Sequence, residues 1–251
     1  MTRRLVFTVD VDRDANIRID GSEAAGSVDR GSGVSPRFDS TAKGLKLIVD
    51  LLDVLGIKAT FFIEGRTAET IDCSMLSGHC IGFHGYDHEE LSKVADVGAV
   101  MRKGFEAVKD RVSEPTCFRA PFMTMADGIY ETLNELGVRH DSSVYEPPDC
   151  VPHEVSGIME HPVAKGEDAE GKAIAAYLWP MHEGRRPPSD FIEFARKVDN
   201  DFVLCTHSWH MVEGYDPGMM SMEEIRRNLD NTKEVLEGLI DEGFRPGILT
   251  G

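Results

Sequence analysis

The sequence predicts an α/β fold built on a parallel sheet or barrel, on two observations. Short apolar runs rich in β-branched and aromatic residues alternate with segments of helical period, and polar residues capable of chemistry collect just past the apolar runs. The first run, RLVFTVD, ends at Asp10. KATFFIEG (58–65) and FVLCTH (202–207) have the same character, with CIGFHG and TCFRA as shorter versions. Between the first two runs, STAKGLKLIVDLLDVLG sets Leu45, Ile48, Leu52 and Leu55 on one helical face. Asp39 or Ser40 is the expected N-cap, and Gly56 stands where a helix C-terminus wants a left-handed residue. Further helical patterns cover 96–112, 124–137, 189–199 and 221–242, the last opening on a capping box of Ser221 and Glu224. No internal repeat or low-complexity linker interrupts the pattern, so residues 1–251 read as one domain. Two stretches stand outside the alternation. Residues 13–38 are too long and polar for an ordinary connection, and 145–190 are irregular and rich in proline.

Composition narrows the function. A chain of 251 residues with 41% hydrophobic content buries a large core. No stretch approaches the ~18 uninterrupted apolar residues of a membrane span. The start, MTRRLVFTVDVDRD, has too short an apolar run for a signal peptide and no small-residue cleavage site, which predicts a cytoplasmic protein. Five cysteines (Cys73, Cys80, Cys117, Cys150, Cys205) are odd in number, scattered and free of C-x-x-C pairs. They read as reduced packing residues rather than a disulfide frame or a thiolate zinc site. A net charge of −17 and a pI near 4.9 argue against a nucleic-acid binder, which needs a basic face. The acidic surplus is spread along the chain and reads as a solvated surface. Arginines outnumber lysines 17 to 10, a balance that fits a salt-adapted cytoplasm and an acidic mesophilic enzyme equally. A small-molecule partner remains, with homo-oligomerisation left open.

The stretch HGYDHEEL, 84 to 91, sets His84 and His88 four residues apart. Alone, such a pair is better explained as a solvated turn before a helix. It gains weight from its company. Asp10 and Asp12 end the first apolar run, Arg119 ends TCFRA, Asp141 follows LGVRH, and His207 ends FVLCTH. Each has an ordinary explanation: a cap, a salt-bridge partner, a satisfied buried histidine. In α/β folds, however, the loops beyond strand C-termini converge on one face, and seven polar groups reaching that face together mark a site.

Taken in order, FTVDVD, HGYDH, FRAPF, HDSS and LCTHSWH resemble the polysaccharide deacetylases of carbohydrate esterase family four. GLKLIVDLLDVLGIKATFFIEG resembles that family's first helix and second strand, and the likeness runs from residue 5 to about residue 210. Asp10-Val11-Asp12 replaces the usual adjacent aspartates followed by glycine, and HGYDH replaces the usual H-S/T-x-x-H. This form is similar to the branch holding intracellular deacetylases, metal-independent allantoinases and cyclic imide hydrolases. The resemblance implies an irregular seven- or eight-stranded (β/α) barrel of the NodB-homology type, forming one catalytic domain. It also implies hydrolysis of an amide carbon–nitrogen bond with a divalent metal, deacetylating an N-acyl amino sugar or similar small N-acylated substrate. The alternatives are a cyclic amide, imide or ureide hydrolase working without metal, and a non-catalytic ligand-binding relative.

The same resemblance assigns roles. Asp12, His84 and His88 offer one oxygen and two nitrogen ligands and leave a position open, the pattern of a catalytic zinc site. Cobalt, nickel, iron or manganese also suits such a set. Asp10 lies two residues from Asp12, faces the same way in an extended segment, and is the expected base. Arg119 matches the arginine that holds that base, and the Phe122 N–H matches the oxyanion donor. His207 matches the general acid, with Asp141 a candidate to orient it. Tyr86, Trp209 and His210 are expected to line the pocket. Asp14 is an alternative ligand to Asp12, whereas His79, His140, His153, His161 and His182 lack ligand spacing.

Overall fold

The computed structural model describes residues 3–14, 37–214 and 218–249, together with the backbone of 16–17 and 26–27. Most of the long polar loop expected over 13–38 therefore lies outside the described residues.

The first apolar run forms β1 (Arg4–Val11), whose side chains from Leu5 onward are all buried, as expected of a parallel strand covered on both faces. The other runs form β2 (Thr60–Ile63), β3 (Cys80–Phe83), β4 (Cys117–Phe118) and β5 (His140–Asp141). Beyond them come β6 (His153–Val155), β7 (Ile158–Glu160), β8 (Asp201–His207) and β9 (Arg245–Gly247). Among the described residues these nine make one sheet in the order β8-β1-β2-β3-β4-β5-β7-β6, with β9 also on β1. Every pairing is parallel except β6 with β7. The sheet curls as a half-barrel, in line with the (β/α) barrel expected. Its irregularity comes from β4 and β5, which are only two residues long. The proline-rich stretch supplies a smaller sheet of Tyr145–Glu146, Val163–Glu167 and Ala173–Ala175. Its continuation meets the edge of β8, where Cys205 N donates to Ala176 O (2.9 Å) and Leu178 N donates to Cys205 O (2.8 Å).

Helices pack outside the sheet. α1 (Asp39–Leu55) buries Leu45, Ile48 and Leu52, while Leu55 is half-buried at its edge. It ends at Gly56 with φ 66°, as the sequence predicted. Its N-cap is Phe38, not Asp39 or Ser40. The capping carboxylate comes from elsewhere: Asp14 Oδ1 accepts from Thr41 N at 2.9 Å. α2 (Gly65–Thr70) and α3 (Val97–Arg111) follow. The helix expected over 124–137 is shorter, α4 (Ile129–Glu135), because Gly128 sits at φ 87° and Pro121–Met123 make a separate turn. α5 (Trp179–His182) and α6 (Pro188–Ala195) precede α7 (Met222–Asp241), which carries the predicted Ser221–Glu224 capping box. Among the described residues no helix is long and apolar enough to cross a membrane. All five cysteines are free thiols, and four of them are buried.

Candidate active site

The parallel register builds the site. Val11, Ile63, Phe83, Phe118 and Asp141 are mutual partners across β1 to β5. The next residues, Asp12, Glu64, His84, Arg119 and Ser142, therefore form one row just past the strand ends. Strand alternation sets Asp10 one layer below Asp12 on the same face, opposite His207 of β8. The layer below needs a glycine at 82, because a Cβ there would stand 2.7 Å from both Cys117 Sγ and the Phe62 ring.

Asp12, His84 and His88 bring ligand-type atoms within 4.8 Å of one another, all buried. His88 Nε2 lies 3.2 Å from Asp12 Oδ2. His84 Nδ1 is 2.8 Å from the Arg119 carbonyl, so it donates there and leaves Nε2 with its lone pair. Burial pushes both imidazoles down, His88 to about 4, and holds the rings neutral. Neutral imidazoles and a carboxylate are what a divalent cation requires, so the donor set fits one. His88 adopts φ 54°, a left-handed conformation costly for a side chain of its size.

Asp10 is locked to Arg119, with Nη1 2.9 Å from Oδ1. Burial would raise the Asp10 carboxyl, but the adjacent Arg119 guanidinium outweighs it and holds the group below the usual range. Arg119 is fully buried. It also donates to the Ser142 carbonyl (2.8 Å), Ser142 Oγ (3.0 Å) and Thr8 Oγ1 (3.0 Å), and lies 4.3 Å over the Phe62 ring.

Sequence reasoning missed Glu64 and Arg13. Glu64 Oε1 accepts from Arg13 Nε (2.9 Å), and Oε2 accepts from Arg13 N (3.1 Å) and Thr67 Oγ1 (2.6 Å). Arg13 also pairs with Asp87, which Arg66 Nη2 meets at 2.8 Å. The signal was present, since Glu64 follows an apolar strand as Asp12 does, but an acid before a glycine reads as a helix start.

His207 is held by Tyr177, whose hydroxyl lies 2.8 Å from both ring nitrogens, and its Nε2 is 3.8 Å from Asp12 Oδ2. The ring stacks on Trp209 at 5.0 Å, and Trp209 stacks on His210 at 4.5 Å. His210 Nε2 is fixed by Glu183 Oε1 at 2.7 Å. Tyr177 and Glu183 come from the irregular proline-rich stretch, where no periodicity could announce them.

Four expectations need correction. Asp141 does not orient His207: its Oδ1 accepts from Ser143 Oγ (2.5 Å), which in turn accepts from Ala120 N (2.8 Å). Asp141 thus braces the loop that carries Arg119 and Phe122. Burial raises the carboxyls of both Asp141 and its neighbour Glu160. Tyr86 turns outward, with its hydroxyl on Glu69 (3.1 Å) and Lys103 Nζ 3.4 Å over its ring, because Gly85 at φ 68° breaks the strand alternation. Trp209 and His210 are buried behind His207 instead of lining an open pocket. Asp14 caps α1 and is no ligand. Phe122 does border the ligands: its ring lies 4.5 Å from that of His88, and its φ of 58° makes a left-handed turn after Pro121.

Comparison with known proteins finds chains similar in sequence and in fold. A family model described as polysaccharide deacetylase matches residues 29–140, a span that includes His84, His88, Arg119 and Phe122. A chitin deacetylase of Arthroderma benhamiae is 29% identical over 142 residues, covering 49% of this chain and 37% of that protein. A peptidoglycan deacetylase of Helicobacter pylori is 27% identical over 151 residues, covering 57% of this chain and 51% of that one. The matched stretches thus span about half or less of these curated relatives. For the fold, a provisionally assigned polysaccharide deacetylase structure from Mycobacterium smegmatis superposes with a TM-score of 0.60 at 21% identity, covering 100% of this chain and 94% of its own. Over residues 29–140 the chain is similar to the polysaccharide deacetylase family, and its curled sheet has the fold of a solved structure of that kind.

Proposed function

We propose that this protein is a divalent-metal-dependent hydrolase of amide carbon–nitrogen bonds, removing the acyl group from an N-acyl amino sugar or a similar small N-acylated amine. One observation carries the reading: a carboxylate and two neutral imidazoles converge within 4.8 Å, beside an aspartate clamped by a buried arginine. The deacetylase names of the relatives support the reaction class.

Asp12, His84 and His88 would hold the ion, zinc first by ligand type, with cobalt, nickel, iron or manganese also suited. When bound, such an ion polarises the amide carbonyl and lowers the pKa of a water molecule toward ~7. Asp10 takes the attacking water's proton, and Arg119 keeps it ionised for that work. The Phe122 N–H serves the developing oxyanion. His207, aimed by Tyr177 and backed by Trp209, gives a proton to the departing amine.

The test is metal analysis of untreated protein, followed by assay against N-acetyl sugars and cyclic ureides with and without chelator. Deacetylation that is lost on chelation and restored by zinc or cobalt is the expected result. Full activity on a cyclic amide in metal-free protein would replace this reading with the second one, which Asp10-Val11-Asp12 and HGYDH favour by their resemblance to that branch.

A further inference from the structure

A cavity of about 290 Å³ lies beside His207. Tyr177 belongs to both, and Trp179, also in the cavity wall, meets the His207 ring edge-on at 5.5 Å. At ~30 Å³ per water, the space of this open cavity equals about ten water molecules, enough to seat one substituted ring. Ile174, Trp179 and Pro180 give it an apolar and aromatic wall suited to the C–H face of a ring.

Its charge runs against the rest of the molecule. The chain carries 44 acidic residues and a net charge of −17, yet no described carboxylate lines this cavity, whereas Lys165 and Arg186 do. Arg186 is already neutralised by Asp168 (2.8 Å) and Asp190 (2.7 Å). Lys165 has no carboxylate partner among the described residues, and its ammonium stands 5.3 Å over the Tyr145 ring. An uncommitted cation at the rim of an apolar cavity is suited to one anionic group on the ring that fills it.

We infer that this cavity seats the amine half of the substrate, and that this half is a single ring bearing an anionic substituent, phosphate or carboxylate, against Lys165. The inference rests on the proposed amide hydrolase, because His207 as proton donor puts the departing amine on this side. It deepens that reading by naming the substrate class.

The experiment compares kcat/KM for N-acetylglucosamine, N-acetylglucosamine 6-phosphate and N-acetylmuramic acid, which are neutral, phosphorylated and carboxylated versions of one ring. At least one anionic substrate should be favoured by about 10-fold or more, the scale of one charge-assisted contact. Lys165→Met should abolish that preference, and Lys165→Arg should restore most of it. The relative rates of the two anions identify which group is read. Equal use of neutral and anionic rings, or a preference that survives Lys165→Met, would overturn the inference. Calorimetric binding of glucosamine and glucosamine 6-phosphate to metal-loaded protein separates the two readings, because it needs no turnover. Tighter binding of the phosphorylated amine that depends on Lys165, in a protein hydrolysing none of these amides, would keep the cavity assignment and remove the hydrolase. Binding indifferent to Lys165 would remove the cavity assignment, whatever the activity.

Discussion

Arg13 and Asp87 form an ion pair that joins the residue after Asp12 to the residue before His88, and buried Glu64 grips the same guanidinium from the row between them. Two ligand-bearing segments far apart in sequence are thus cross-linked by one arginine that is 2% exposed. Arg13→Met should leave Glu64 buried without its cation, at a cost of ~3–5 kcal/mol in unfolding free energy. It should also weaken metal binding by ~10–100-fold, as loss of a group supporting ligands does. Denaturant unfolding of the metal-free variant and calorimetric zinc titration measure the two effects. Unchanged zinc affinity would mean that the brace does not position the ligands.

The two aspartates of FTVDVD should separate cleanly. Asp10→Asn keeps the shape and a hydrogen bond to Arg119 but cannot accept the water's proton, so it should bind metal normally and lose ~10²–10⁴ in rate. Asp12→Asn should lose metal affinity first, with activity partly recovered at high metal concentration. Metal content and turnover measured on the same preparations decide between the assignments. The opposite pattern would exchange the two roles.

Gly44 lets α1 press against the turn that follows His207. A Cβ at this position would stand 1.8 Å from the Ser208 carbonyl oxygen, and a backbone atom cannot give way as a flexible side chain would. Gly44→Ala should therefore cost at least the ~1–3 kcal/mol typical of overpacking. Because Ser208 N donates to the Asp10 carbonyl at 3.0 Å, the shift should also reach the site and lower kcat. Thermal unfolding and steady-state rates test both.

Glu160 links stability to pH. Burial and neighbouring Asp141 raise its carboxyl to about 10, above the unfolded value near 4.5, so the folded state binds the extra proton. Its contribution is fully present below the unfolded value and is lost as pH rises toward the folded one. The loss can reach ~1.4 kcal/mol per pH unit for a single proton. Glu160→Gln imitates the protonated acid, and its carbonyl can still accept from Ser143 N, now 3.1 Å from Glu160 Oε1. The variant should gain on the native protein between about pH 5 and about pH 8, seen as a flatter denaturation midpoint across that range. Parallel pH curves for the two proteins would show that the carboxyl pair does not hold the proton.

By itself the sequence determined the elements and the face on which chemistry gathers. Apolar runs fixed β1, β2, β3 and β8, the 3.6-residue period fixed α1 and α7, and polar residues past the strand ends marked the site. These features were legible because strand ends in a parallel sheet share one register, so a pattern local to each strand becomes a common row in space. Only the tertiary structure decided which neighbours complete that row. Tyr177 reaches His207 from an irregular stretch with no period to read, and Glu183 reaches His210 in the same way. Asp14 became a helix cap and Asp141 a brace on Ser143, because a carboxylate's partner is set by packing across elements. Tyr86 left the pocket because one left-handed glycine reversed the side to which the chain presents its residues.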